Sequence, residues 1–204
     1  MRELTRLWLQ NTQGLIEDSE GERLAQHAKN VPATQAIVEL GSHTGLSTCW
    51  MAAGSRDGNG AHITAVDPWG KPRPGSLDDP WDLGPDGVLE RFQSNIAGTT
   101  QLVFNEDYGD IVTPLRMKSR AASRVWIKPI GLLFVDAIHE GPAVLEDWYS
   151  WSPHLAPGAV VCFHDYGDSY PGVKEAIDRE IEPSRRWIWQ DLTEPSLWQG
   201  QLPR

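Results

Sequence analysis

Residues 35–47, Gln-Ala-Ile-Val-Glu-Leu-Gly-Ser-His-Thr-Gly-Leu-Ser, constrain this chain more than any other stretch. A short apolar run ending in glycine is what a strand buried on both faces requires, and residues 44–53 beyond it have helical composition. A second apolar run, residues 61–66, is stopped by Asp67-Pro68, because proline removes a ladder donor and restrains the residue before it. Two strands about one helix make a βαβ unit, and such units are right-handed almost without exception.

The rest of the chain repeats this alternation. Residues 3–30 carry apolar side chains at helical spacing (Leu4, Leu7, Trp8, then Ile16, Leu24, Ala28) and predict two short helices. Residues 68–87 are rich in Pro, Gly and Asp; a connection of this length predicts a lid loop over a site, with Trp69 and Trp81 as candidate ligand-facing side chains. Beyond it the pattern predicts a helix over 88–96, a strand over 111–115, a helix over 119–126 and a strand over 130–135. Pro142 opens the next helix, where its missing N–H costs nothing, and that helix runs to Trp151. A strand over 159–163, a helix over 173–181 and two strand candidates, 187–190 and 196–198, complete the chain. The expected fold is α/β: a doubly wound, mostly parallel sheet with N-terminal helices and a C-terminal antiparallel strand pair, binding ligands outside its strand carboxyl ends. One domain is expected over residues 1–204: N-terminal helices in 1–34, a ligand-binding core in 35–165, and a C-terminal helix and strands in 166–204.

Charge and composition exclude several classes of partner. A formal charge of −10 repels a phosphate backbone, and the longest basic cluster is Arg185-Arg186, so nucleic acid is not expected. No apolar run reaches the roughly 18 to 20 residues of a membrane span, and no signal-peptide core opens the chain; a cytoplasmic protein is expected. Cys49 and Cys162 both lie in apolar segments and read as buried thiols rather than a disulfide.

Three groups of residues can carry chemistry. In the turn over residues 39–47, Gly41 and Gly45 let backbone approach a ligand, and the amides of the following helix offer donors. His43 stands where a dinucleotide-binding turn needs its second glycine, and Glu39 would repel a pyrophosphate while favouring an α-amino group or a sulfonium. The alternative is a tight strand-to-helix turn without a ligand. Asp67, just past the second strand, can accept ribose hydroxyls or merely end the strand in solvent. Asp136, His164 and Asp165 close two strands that would be neighbours; they suit Mg²⁺ or another divalent cation, with His139 as a base for an acceptor hydroxyl. The plainer alternatives are that His164 and Asp165 cap a turn and that His139 is a surface residue.

The series formed by residues 37–48, 65–69, 133–140 and 155–165 resembles the class I S-adenosylmethionine-dependent methyltransferases with a Rossmann-like fold. Within them it is most similar to the small-molecule branch of macrolide-sugar O-methyltransferases and cephalosporin-hydroxylase-like proteins. The resemblance implies that Glu39, Gly41, Ser42, Gly45 and Ser47 surround the methionine part of S-adenosylmethionine, that Asp67 binds the ribose, and that Lys118 and Ser119 lie by the adenine. It implies Asp136, His164 and Asp165 as metal ligands and His139 as base, with Asp136 belonging to both the cofactor-binding and the catalytic sets. The chain departs from the pattern at His164, where metal-dependent sugar methyltransferases usually carry a carboxylate, and at Ala137-Ile138, where Gly-Asp is commoner. The expected activity is O-methylation of a small polar acceptor, a sugar or secondary metabolite; self-association stays open. The rival readings are a nicotinamide-dependent oxidoreductase on the same sheet and a non-catalytic cofactor-binding protein.

Overall fold

In the computed structural model, which describes residues 3–70, 84–99, 101, 111–193 and 195–204, the apolar runs become the strands of one sheet. These are β1 (Ala36–Leu40), β2 (Ile63–Asp67), β3 (Val112–Arg116), β4 (Ile130–Val135), β5 (Leu155–Phe163), β6 (Trp189–Thr193) and β7 (Leu197–Gln201). Their order is β3-β2-β1-β4-β5-β7-β6. The first five run parallel to one another, while β7 runs antiparallel to both β5 and β6.

The chain leaves β1 for β2 on one side and returns to β4 on the other, so the order reverses between β1 and β4. A crevice opens at such a switch point, outside the strand carboxyl ends.

Helices α1 (Glu3–Gln10), α2 (Asp18–Asn30), α3 (Leu46–Arg56), α4 (Gly84–Ala97), α5 (Ser119–Ser123), α6 (Gly141–Trp151), α7 (Pro171–Ala176) and α8 (Glu182–Ser184) accompany the sheet. The two-residue period of the strands divides the core. Ile37, Leu132 and Phe134 pack with Trp50 of α3 and Phe92 of α4, whereas Val38, Leu133 and Val135 pack with Trp148 and Trp151 of α6. By the same period Glu39 falls on the α3 side. Trp50, Phe134 and Trp148 are fully buried, and truncating one such side chain to alanine typically costs about 3–5 kcal/mol.

The structure differs from the sequence reading in several places, among them that both C-terminal strands run further than expected, to Thr193 and Gln201. β5 begins at Leu155 and passes through Pro157-Gly158, its register against β4 shifting between Ile130 and Leu132; Gly158, at φ +79°, absorbs the irregularity. α5 stops at Ser123, and the indole N–H of Trp126 instead bonds the carbonyl of Lys128 at 2.5 Å. The helix over 173–181 divides into α7 and a π-helical turn, Ile177–Ile181. The expected lid over 68–87 gives up its last residues to α4; residues 71–83, with Trp81, lie outside the described residues. Trp69 is 2% exposed rather than ligand-facing. Its ring packs on Phe92 with centroids 4.9 Å apart and its indole donates to the His43 carbonyl at 2.9 Å, contacts across the fold that a Pro/Gly-rich local composition conceals.

Both cysteines are buried thiols, as expected, and burial pushes the Cys49 thiol up to about 12. Among the described residues no helix is long and apolar enough to cross a membrane.

Candidate active site

The turn after β1 is built from backbone that few side chains tolerate. Gly41 has φ +86°, and a Cβ there would stand 2.0 Å from the Asp136 carbonyl oxygen. Gly45, at φ +83°, caps α3, and a Cβ there would meet the Phe92 ring at 2.6 Å. His43 between them is also left-handed, at φ 43°. Left-handed backbone in three of five residues persists only where surrounding contacts hold it.

Those contacts come from Asp67 and Asn95. One Asp67 oxygen accepts the His43 N–H at 3.0 Å and the other the Trp69 N–H at 2.6 Å. The Asn95 amide donates to the carbonyls of Thr44 at 2.8 Å and Gln13 at 3.2 Å. Arg116, the last residue of β3, clamps the exit from β2 by donating to the carbonyls of Trp69 at 3.0 Å and Pro68 at 3.3 Å. Burial raises the pKa of Asp67, opposed by the two amides that it accepts.

Glu39 lies beneath the turn with no exposed surface. Ser47 donates to one of its oxygens at 2.5 Å and Thr48 to the other. Burial pushes its carboxyl up to about 7, against the lowering effect of those hydroxyls. Ser42 Oγ is buried beside this carboxyl and adds to the lowering, although it makes no hydrogen bond of good geometry among the described residues.

The second half of the site closes β4 and β5. Asp136 follows Val135 and donates its backbone N–H to Leu40 at 2.8 Å; His164 follows Phe163 and donates to Val135 at 3.0 Å. Asp165 sits at φ 58°, which turns its carboxylate back toward Asp136. Four atoms then converge: His139 Nε2 lies 3.6 Å from Asp136 Oδ1 and 2.9 Å from Asp165 Oδ2, and His164 Nδ1 lies 3.3 Å from each of the same two oxygens. His164 Nε2 is 3.0 Å from Glu20 Oε2.

Burial alone would lower both imidazoles and raise the carboxyls, but their mutual attraction wins. His139 is held up at about 9 by Asp136 and Asp165, His164 is raised further by Asp136, Asp165 and Glu20, and the three carboxyls are lowered. His139 Nε2 is buried yet makes no hydrogen bond of acceptable geometry despite its closeness to Asp165, and its ring rests 4.6 Å from that of Tyr170.

The sequence-predicted residues therefore gather in two adjoining groups, Glu39 to Ser47 with Asp67, and Asp136 with His139, His164 and Asp165. Ligand atoms of Asp136, His139 and Asp165 lie within 4.8 Å of one another, a set with His139 where the sequence reading has His164. Ser119 opens α5. Its hydroxyl donates to Asp147 and accepts the Trp151 indole N–H at 2.8 Å, and Lys118 before it is exposed. Glu20, Tyr170 and Arg116 escape the sequence reading. Glu20 shows only a capping-box spacing with Glu17, and the other two lie in segments without a chemical signature.

A methyltransferase-domain family model matches residues 38–166, which span both groups and well over half of the chain. The chain belongs to that family. Its fold is shared with the O-methyltransferase NovP (18% identity, 100% of this chain and 89% of that one, TM-score 0.67). It is shared too with the O-methyltransferase TomG of Streptomyces achromogenes, solved with SAM (15%, 100% and 91%, TM-score 0.64). An O-methyltransferase of Bacillus cereus solved with SAH is also similar (12%, 100% and 92%, TM-score 0.65). The Rossmann-like methyltransferase fold expected from the sequence is the fold observed, and the nicotinamide reading is not favoured.

Proposed function

We propose that the chain transfers the methyl group of S-adenosylmethionine to a hydroxyl of a small polar acceptor, a sugar or a secondary metabolite, with a divalent cation assisting. The observation that carries this reading is the abutment of the two groups: Gly41 lies so close to the Asp136 backbone that only glycine fits, so a ligand cradled by the turn meets the acid–imidazole cluster directly.

The residues fit the cofactor. Gly41 and Gly45 give the turn a left-handed backbone packed directly on Asp136 and Phe92, Ser42 Oγ is a buried hydroxyl at its centre, and Asp67 has lone pairs left for ribose hydroxyls. Glu39 braces the turn from below through Ser47 and Thr48. The sulfonium supplies an already activated methyl group, so the protein contributes alignment and removal of the acceptor proton. Lys118 and Ser119 would border the adenine, Ser119 through its backbone, since its hydroxyl is committed to α6.

The donor set also fits a cation. Asp136, Asp165 and His164 would hold it, and their mixed nitrogen and oxygen donors suit Mn²⁺ or another first-row ion better than Mg²⁺. Its charge would take the place of the proton that the two carboxylates hold on His139, leaving that imidazole beside the acceptor as base. A bound cation would lower the pKa of the acceptor hydroxyl.

Calorimetry with S-adenosylhomocysteine should detect binding, and radiolabelled methyl transfer across a panel of sugar and phenolic hydroxyls should respond to added Mn²⁺. NADH should not compete. If neither the cofactor nor its demethylated product binds, the reading fails.

A further inference from the structure

Glu20 lies in α2, outside the segment matched by the methyltransferase family, yet its carboxylate is 1% exposed and reaches a residue 144 positions away. As the third helical residue of a capping box it need make only one bond, from the Glu17 N–H to Oε2 at 3.2 Å, and a solvated side chain would serve. It makes more. Oε2 also stands 3.0 Å from His164 Nε2, while Oε1 accepts both the backbone N–H of Ser196 at 2.9 Å and the Ser196 hydroxyl at 3.0 Å. Ser196 is in turn fixed by accepting the Tyr166 N–H at 2.9 Å, just beyond Asp165. The carboxylate thus ties the start of α2 and Ser196 to one imidazole.

We infer that Glu20 is a positioning residue of the active site: it fixes the ring and tautomer of His164, so that Nδ1 faces the Asp136 and Asp165 carboxylates. This rests on the catalytic reading above. A ring nitrogen held by a carboxylate keeps its proton, so the proton displaced by an incoming cation is the one on the other nitrogen, which then offers its lone pair. Without the acid, the imidazole would be buried with one nitrogen unpartnered and free to turn. The same pairing accounts for this chain's departure at His164. A carboxylate there would face the buried Glu20 carboxylate, so the imidazole and Glu20 form a matched pair.

The test uses the full chain and Co²⁺, whose visible spectrum reports imidazole ligation. Glu20→Gln keeps one oxygen for the Ser196 N–H and hydroxyl and puts an amide NH₂ where Oε2 faced Glu17 and His164. It should leave S-adenosylhomocysteine affinity in place while weakening Co²⁺ roughly 10- to 100-fold, the usual cost of losing such a partner. His164→Asp alone should lose more affinity than the double variant Glu20→Gln/His164→Asp, because the double variant removes the facing acid; a role confined to capping would give additive losses. Additive losses, or unchanged Co²⁺ affinity in Glu20→Gln, overturn the inference. Should the wild-type protein take up no Co²⁺, the cation part of the proposed function falls. Glu20 is then judged by kinetics alone: a lower kcat at unchanged cofactor KM in Glu20→Gln supports it, and unchanged kcat overturns it.

Discussion

The two halves of the carboxyl edge bury acids by opposite means. At the ends of β1 and β2, Glu39 and Asp67 accept from the hydroxyls of Ser47 and Thr48 and the amides of His43 and Trp69, the His43 ring adding a smaller pull on Asp67, and burial still raises both carboxyls. At the ends of β4 and β5, Asp136 and Asp165 are offered two imidazoles, and both are lowered. Dipoles satisfy hydrogen bonds without offsetting the desolvation of a full charge, whereas a cation a few ångströms away does so. One half is therefore a nearly neutral cradle suited to holding a ligand by shape and hydrogen bonds. The other is a charged centre suited to proton or cation chemistry, and the two meet where Gly41 touches the Asp136 backbone.

If the charged half carries the chemistry and the neutral half the binding, a substitution in each should divide kcat from affinity. His139→Ala should lower turnover about 10²- to 10⁴-fold, the range for loss of a general base, with S-adenosylhomocysteine affinity retained. Equal loss in both, measured by steady-state kinetics beside calorimetry, would merge the halves and remove the base role.

The next effect is on stability. Glu39 binds its proton more tightly folded, at about 7, than unfolded, near 4.5. Its protonation stabilises the fold fully below pH 4.5, and that contribution is lost as pH rises from 4.5 through 7, on the order of 3 kcal/mol over the window. Glu39→Gln lacks this loss. Denaturant unfolding at pH 5 and pH 8 should show the variant losing less stability than the wild type between the two; parallel behaviour would mean that Glu39 stays charged and that the cradle is not neutral.

The sequence made the parts of this comparison legible to different degrees, for physical reasons. β4 matches its apolar run from Ile130 to Val135, and α6 begins beside Pro142 as its first-turn proline requires, because both signals are local. The turn at Gly41 was readable for the same cause: positive φ and close backbone approach leave a mark in glycine. What stayed hidden is non-local. Trp69 sits among residues typical of loops, and only its contacts with Phe92 and the His43 carbonyl place it in the core. Glu20 carries a local explanation, the capping box, that masks its contact with His164. Which imidazole nitrogen faces which carboxylate depends on the left-handed turn at Asp165, and no residue type at that position announces it.

The smallest expected effect separates two jobs at Asp67. Its carboxylate braces the turn through His43 and Trp69, and in the proposed function it also receives the ribose hydroxyls. Asp67→Ala removes both, and should weaken S-adenosylhomocysteine about 10-fold, or about 1.4 kcal/mol, while lowering thermal stability. The jobs are told apart by a cofactor fragment. If Asp67 contacts the ribose, adenosine should lose affinity in the variant by much the same factor as the whole cofactor. If it acts only as a strut, adenosine binding should hold while the methionine end, seated on the loosened turn, accounts for the loss. An unaltered affinity for S-adenosylhomocysteine would leave Asp67 with neither role in binding, and the neutral half of the edge would then hold its ligand by the glycine backbone and Ser42 alone.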